Sequence, residues 1–243
     1  MDPEDAVQLT DGVYTEGHFW TRKTTVGWGG RRPALITIDL GQDQPIKGLS
    51  CSTAAGVADV HLPARILVFV SPDGQTWYET GNLVRLHQQR SPLPEYGEYV
   101  ACRLWTDALR THGRYIAVYV EPEATYTFLD EIEVYRGDEA LLSEPYSGEG
   151  SADLEESLEE RRITDLIQAQ FMRDLAAVTT DIAALPTGAQ TDFTARATTL
   201  TSAIRDMPPV SMAGFRAVLP MTDLERQIFR LQATVWRAAE KPA

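Results

Sequence analysis

Ile66-Leu67-Val68-Phe69-Val70-Ser71-Pro72-Asp73-Gly74-Gln75-Thr76-Trp77-Tyr78-Glu79 is the stretch whose reading decides the fold. Five consecutive apolar residues, three of them β-branched, are too short for a buried helix and suit a strand covered on both faces. Ser-Pro-Asp-Gly is turn chemistry: Pro fixes φ, and Gly reaches φ > 0 without strain. Trp77-Tyr78-Glu79 then reads as the returning strand of a hairpin. Working outward, Ala34 to Leu40 alternates apolar and polar residues and stops at Gly41. Ile46 to Ser52, Tyr99 to Leu104, Tyr115 to Val120 and Glu131 to Tyr135 complete the set. About seven short strands with no helical period between them predict an all-β sandwich or barrel.

The period changes once, beyond a stretch without a single base. Gly137 to Glu160 holds Asp138, Glu139, Glu144, Glu149, Asp153, Glu155, Glu156, Glu159 and Glu160 around Pro145-Tyr146-Ser147-Gly148. Such a run repels itself, so residues 138–152 are expected as a solvated acidic linker into a helix N-terminus. It separates a β domain over 1–137 from an α-helical region over 153–243. There Phe171, Leu175, Val178, Ile182 and Leu185 recur at helical spacing, extend back through Leu166, Ile163 and Leu158, and stop at Pro186-Thr187-Gly188. Phe193, Ala197, Leu200, Ile204 and Met207 repeat the spacing as far as Pro208-Pro209. Thr222-Asp223-Leu224-Glu225 is a capping box opening a third helix with Leu224, Ile228, Leu231 and Val235 on one face. A helical hairpin or three-helix region is expected, its first helix of about 33 residues spanning about 50 Å.

The 243 residues carry 22 Lys+Arg against 35 Asp+Glu, a formal charge of −13. Residues 1–140 have 20 acids and 12 bases, and the remainder 15 and 10, so neither half is a basic surface for nucleic acid. No apolar run approaches the roughly 20 residues of a membrane span, and Met1-Asp2-Pro3-Glu4-Asp5 lacks the basic and apolar regions of a signal peptide. His18, His61, His87 and His112 show no zinc-ligand spacing, and neither a Gly-x-Ser-x-Gly elbow nor a phosphate-cradling glycine loop occurs. Glu131 and Glu133 share a strand face, whereas glycosidase carboxylates flank a cleft. A non-catalytic module is expected.

Six motifs come in a telling order: Leu9-Thr10-Asp11-Gly12, an aromatic at Trp20, Leu35 to Gly41, Val68 to Trp77, Arg114 to Val118, and Asp130-Glu131-Ile132-Glu133-Val134-Tyr135. Over about residues 5–137 they resemble the discoidin domains, or coagulation-factor type C domains, which are similar to family 32 carbohydrate-binding modules. The resemblance implies a galactose-binding-like jelly roll, a glycan or polysaccharide as partner, and a secreted or cell-envelope setting within a larger polysaccharide-processing protein. The chain begins almost on the first motif, as a segment of a longer protein would. The resemblance also implies a structural Ca²⁺ held by Asp11, Glu131 and neighbouring carbonyls, a donor set suited to a hard cation. Glu16 stands where the family usually has Thr, and the aromatic comes later than usual. The bland reading has Asp11 capping a turn and Glu131 on the strand surface.

Sugar sites on such folds sit on loops at one end, where an aromatic ring stacks on a pyranose and polar groups bond its hydroxyls. Gly17 to Lys23 and Gly27 to Arg32 supply that mixture in what reads as one loop: His18, Trp20, Arg22, Trp28 and Arg31. Asp59 and His61 approach the same end by analogy with the family, and Tyr126 joins them. Trp20 and Trp28 read equally as anchors beneath the loop, and Arg31-Arg32 as a solvated pair. The net charge favours neutral or amino sugars unless Arg22, Arg31 and Arg32 form a local patch. Cys51 and Cys102 read as a bridge between neighbouring strands or as small buried residues. The helices are expected to space the module from adjacent domains or to oligomerise it; the rival reading is a structural module whose helices make a protein contact.

Overall fold

The computed structural model describes residues 5–95, 97–210 and 223–240. They divide into two compact units, Met1–Asp153 and Leu154–Ala243. The first unit is a curled antiparallel sheet of jelly-roll type. Its strands are β1 (Val26–Gly29), β2 (Ala34–Gly56), β3 (Arg65–Ser71), β4 (Tyr78–Asn82), β5 (Tyr99–Thr106), β6 (Thr111–Glu121) and β7 (Tyr126–Arg136). Their order is β1-β7-β2-β6-β3-β4, with β5 also paired to β2.

The decisive stretch folds as its chemistry requires. Strand β3 is buried along nearly its whole length between its partners β4 and β6. At the turn, Ser71 Oγ accepts from Gly74 N at 2.9 Å, and Asp73 Oδ1 accepts from Gln75 N and Thr76 N at 2.8 and 2.9 Å. Those two amides hold the Asp73 carboxyl below the usual range, and Gly74 takes φ +74°.

Ala34 to Leu40 and Ile46 to Ser52, read as two strands, are one. Residues 34–39 pair with β6, the register slips between Asp39 and Gln44, and residues 46–56 then pair with β7 and β5. Gly41, at φ +81°, sits in the slip with its N–H on Asp39 Oδ1 at 2.8 Å. Gln44 to Ile46 resume pairing with β6 beyond the slip, so the irregularity disrupts the ladder locally, as bulges do, without changing the partner. Leu49, Cys51, Ile66, Val68, Leu104, Ile116, Val118 and Leu129 fill the core. The sequence reading missed β1 and the short helix α2 (Leu83–Gln88), which Asn82 caps by accepting from Val84 N at 3.1 Å. A single turn of helix at Asp5–Gln8 is α1.

The acidic linker needs correction. Residues 138–152 are laid against the β unit rather than solvated throughout. Asp138 caps a 3₁₀ turn, Glu139–Ser143, that buries Leu141. Tyr146 stacks on Tyr78 at 4.3 Å, and its OH meets His112 Nδ1 at 3.2 Å. Ser151 pairs with Trp77 through both backbone bonds at 2.9 Å. Specific aromatic and backbone contacts outweigh the mutual repulsion of exposed carboxylates, which water and salt screen.

The second unit contains α3 (Leu154–Ala183), α4 (Thr187–Arg205) and α5 (Asp223–Ala239) among the described residues. Helix α3 has 30 residues, or about 45 Å. Phe171, Leu175, Val178, Ile182, Ala197, Leu200, Ile204, Ile228, Leu231 and Val235 form one apolar core at the expected spacings. The break before α4 is shorter than expected, because Pro186 stands at its N-cap and Thr187 and Gly188 already lie within it. Thr222, in the expected capping box, lies outside the described residues. None of the described helices is long and apolar enough to cross a membrane.

Candidate functional site

Four chain segments meet at one end of the β unit. Gly56, closing β2, pairs with Tyr99 at the start of β5, and it bridges Val60, which bridges Tyr126 at the start of β7. Tyr126 pairs with Gly29, the last residue of β1. Among the described residues three that are not glycine have φ near +60°, and all lie here: Arg31 (57°), Ala58 (62°) and Asp59 (59°). That conformation costs about 1–3 kcal/mol and persists where surrounding contacts over-determine it, commonly at binding sites.

Asp59 is that surrounding contact. Its Oδ2 accepts from Thr125 N at 3.0 Å, its carbonyl accepts from Tyr126 N at 3.2 Å, and its Oδ1 lies 3.8 Å from His61 Nε2. Hydrogen bonds from the Thr125 side chain and amide, with smaller help from His61 and Arg31, lower its pKa. Arg31 N donates to Thr125 O at 3.3 Å and His61 N to Tyr126 O at 3.4 Å. Arg31, Asp59 and His61 therefore surround the Thr125–Tyr126 step, where the Tyr126 side chain is 44% exposed.

The aromatic residues form a second group against the first. Gly27 and Gly29 leave room for two rings, since a Cβ on Gly27 would stand 2.7 Å from Phe128 Cδ1 and one on Gly29 3.1 Å from Tyr126 Cε1. Phe128 and Tyr126, two apart on β7, thus lie over the β1 backbone on one face. Trp20 packs on Phe128 at 6.4 Å and edge-on to Tyr99 at 5.5 Å; His18 stacks on Tyr99 at 4.5 Å. The Tyr99 hydroxyl donates to Gly17 O at 2.5 Å, fixing the loop. Arg22 folds back onto that loop, its Nε donating to Glu16 O at 3.2 Å.

The single loop expected over Gly17 to Arg32 is instead a 3₁₀ turn, Phe19–Thr21, followed by β1. Trp28 pairs with the buried Thr127 and packs, half-buried, against the core. It is the anchor, and alternation along β1 explains why its neighbours Gly27 and Gly29 face the other way. His18, Trp20, Arg31, Asp59, His61 and Tyr126 are brought to one end. Sequence reasoning missed Tyr99, Phe128 and Thr125. The aromatic alternation Tyr126-Thr127-Phe128 opposite two glycines is the signal that could have found the platform.

At Asp11 the turn-cap reading holds. Its Oδ1 accepts from Val13 N at 2.8 Å, a turn cap. Glu131 is not on the surface: it is 3% exposed, and its Oε2 accepts from Gly12 N at 2.9 Å. Burial first, then the charges of Asp11, Glu133 and Asp130, raise its pKa against that bond. Among the described residues no three His, Cys, Asp or Glu side chains converge as a metal cluster, so a cation here would take two carboxylates and complete its shell with carbonyls or water. The buried, like-charge-crowded Glu131 fits that demand, because a cation relieves both penalties. Cys51 and Cys102 are both free. Their registers differ, Cys51 facing Leu104 and Cys102 facing Thr53, and burial pushes the Cys51 thiol up to about 12.

A β module with a loop-end aromatic and polar cluster is the class that this geometry defines. No family model and no curated protein matches the chain. Among solved structures it is similar to CpGH89CBM32-6 of Clostridium perfringens (18% identity, 56% of this chain, 89% of that one, TM-score 0.36). It is also similar to CBM32-1 from a family 31 glycoside hydrolase of Clostridium perfringens (14%, 56% and 87%, 0.36). A third likeness is to a pectin-binding carbohydrate-binding module (14%, 55% and 81%, 0.32).

Proposed function

We propose that this chain is a non-catalytic carbohydrate-binding module of a larger, exported glycan-processing protein, with its helices as spacer or oligomerisation element. The observation that carries the reading is the half-exposed Tyr126 ring among Arg31, Asp59 and His61, with the Arg31 and Asp59 backbone held at φ near +60°. The ring offers a flat apolar face to a pyranose. Asp59 accepts sugar hydroxyls, Arg31 donates to them, and His61 does either. Trp20 and His18 extend the surface for a second sugar unit. A panel of neutral, amino and acidic glycans titrated calorimetrically is expected to find a ligand with Kd in the micromolar to millimolar range, weakened at least tenfold by Tyr126→Ala. No binding across the panel, or binding indifferent to Tyr126→Ala and Trp20→Ala, refutes the reading.

Asp11 and Glu131 would hold a structural Ca²⁺ tying the first loop to β7. Titration of EDTA-stripped protein with Ca²⁺ tests this; neither heat nor a rise in Tm overturns it.

One observation favours the rival reading of an assembly module. Phe229 and Trp236, seven residues apart on α5, are 53% and 58% exposed. Light scattering of the full chain and of Phe229→Ser decides: a dimer that dissociates in the variant supports assembly, and a monomer in both removes it.

A further inference from the structure

Asp130 is 1% exposed, yet only half of its carboxylate is satisfied. Its Oδ2 accepts from Thr15 N at 2.6 Å, while Oδ1 meets no donor among the described residues. The register slip between Ser52 and Thr53 against β7 places Asp130 in an irregular step, beside rather than within the regular ladder. It lines a cavity of about 390 Å³, which it shares with Tyr14, Thr15, Phe19, Ser52 and Arg103. That volume falls within the roughly 300–1,000 Å³ of small-molecule sites.

A buried carboxylate needs a donor, preferably a charged one. Arg103 lines the same cavity but is committed elsewhere. Its guanidinium is paired with Glu133, donates to Tyr135 Oη at 2.7 Å and Ser50 Oγ at 3.1 Å, and lies over the Tyr14 ring at 5.5 Å. Tyr14 is occupied too, its OH donating to Glu133 Oε1 at 2.7 Å. The cavity therefore combines an unpaired buried carboxylate oxygen with a hydroxyl acceptor and donor in Ser52.

We propose that this cavity is a second ligand site, separate from the Tyr126 end, which takes a protonated amino sugar with its ammonium on Asp130 Oδ1. Ring hydroxyls reach Ser52 and the outer edge of Arg103. The site extends the carbohydrate-binding reading but does not depend on the Tyr126 cluster.

The test is calorimetric titration of the full chain with glucosamine, N-acetylglucosamine and glucose in saturating Ca²⁺. Glucosamine is expected to bind at least tenfold more tightly than the other two, because acetylation removes the charge and glucose lacks the nitrogen. Asp130→Asn, which keeps an acceptor for Thr15 N, is expected to abolish that preference. Equal affinity of the three sugars in the unaltered protein overturns the proposal without any variant. An Asp130→Asn protein that retains the preference overturns it as well. Loss of Ca²⁺ uptake in Asp130→Asn, with glucosamine displaced by Ca²⁺, overturns it by making Asp130 a metal ligand. A panel in which Tyr126→Ala changes nothing would strike the end site alone.

Discussion

Gly27→Ala tests whether the aromatic surface is built on the glycines of β1. The added Cβ would stand 2.7 Å from Phe128 Cδ1 and 3.2 Å from Cζ, whereas carbon pairs rest at about 3.5–4.0 Å. The ring must withdraw by roughly 1 Å, and Trp20 packs against it. Overpacking of this kind costs about 1–3 kcal/mol. For a chain of this length each kcal/mol lowers Tm by about 2–4 °C, so a fall of about 2–12 °C is expected in a thermal melt. Since Trp20 rides on Phe128, its fluorescence should shift, and glycan affinity should weaken by roughly tenfold, equivalent to about 1.4 kcal/mol. Gly30→Ala is the control. Among the described residues nothing lies within 4 Å of its Cβ, but its φ is +74°, so it loses about 1–2 kcal/mol to backbone strain with no change in Trp20 emission. A Gly27→Ala protein with the parental Tm, fluorescence and affinity would refute the construction of the platform.

Four further outcomes follow from contacts in each unit. Tyr146→Ala removes the stack on Tyr78 and the bond to His112, and limited proteolysis should then cut within residues 144–150 at least several times faster than in the parent. Glu131 has a raised pKa, so its ionisation opposes folding: stability of EDTA-treated protein should rise as pH falls through that value toward the ordinary 4.5, and Ca²⁺ should raise Tm more at pH 7 than at pH 5. Asp39 behaves oppositely, since Arg114 first and then the Gly41 amide lower its pKa to about 2. The stability it lends is present above pH 4 and lost as pH falls toward 2, and an NMR titration of its carboxyl shows whether the midpoint lies there. Leu231→Ala, at 0% exposure in the helical core, should cost about 2–5 kcal/mol in a denaturant melt.

The strands and helices were legible because each carries its own period. The alternation of Ala34 to Leu40, the apolar run of β3 and the 3–4 spacing of α3 to α5 are local signals, and the structure keeps them except at Leu166, which is 59% exposed rather than on the buried stripe. Four features were not local. The fusion of two strand segments into β2 depends on Gly41 and on pairing with β5, β6 and β7 far along the chain. β1 is a four-residue edge strand with two glycines, which propensity counts against. Trp28 and Trp20 look alike in sequence, and only the pleat decides that one goes inward. Asp59 and His61 were placed by the family likeness, but what fixes them is the backbone of Thr125 and Tyr126, and nothing in their own sequence neighbourhood announces it.

The acidic segment after β7 shows how charge misleads when read alone. Nine carboxylates in Gly137 to Glu160 suggest a strand of chain held off by repulsion. Yet exposed charges at this spacing interact weakly in water, by about 1 kcal/mol at 4 Å and less with salt. One stacked Tyr146, one buried Leu141 and one pair of backbone bonds at Ser151 act at contact distance in partly dry surroundings. The same contrast separates the two acidic groups of the β unit. Asp59, open to water and held by amides, is content as a charge; Glu131, buried among other carboxylates, is not, and it is there that an added cation gains most.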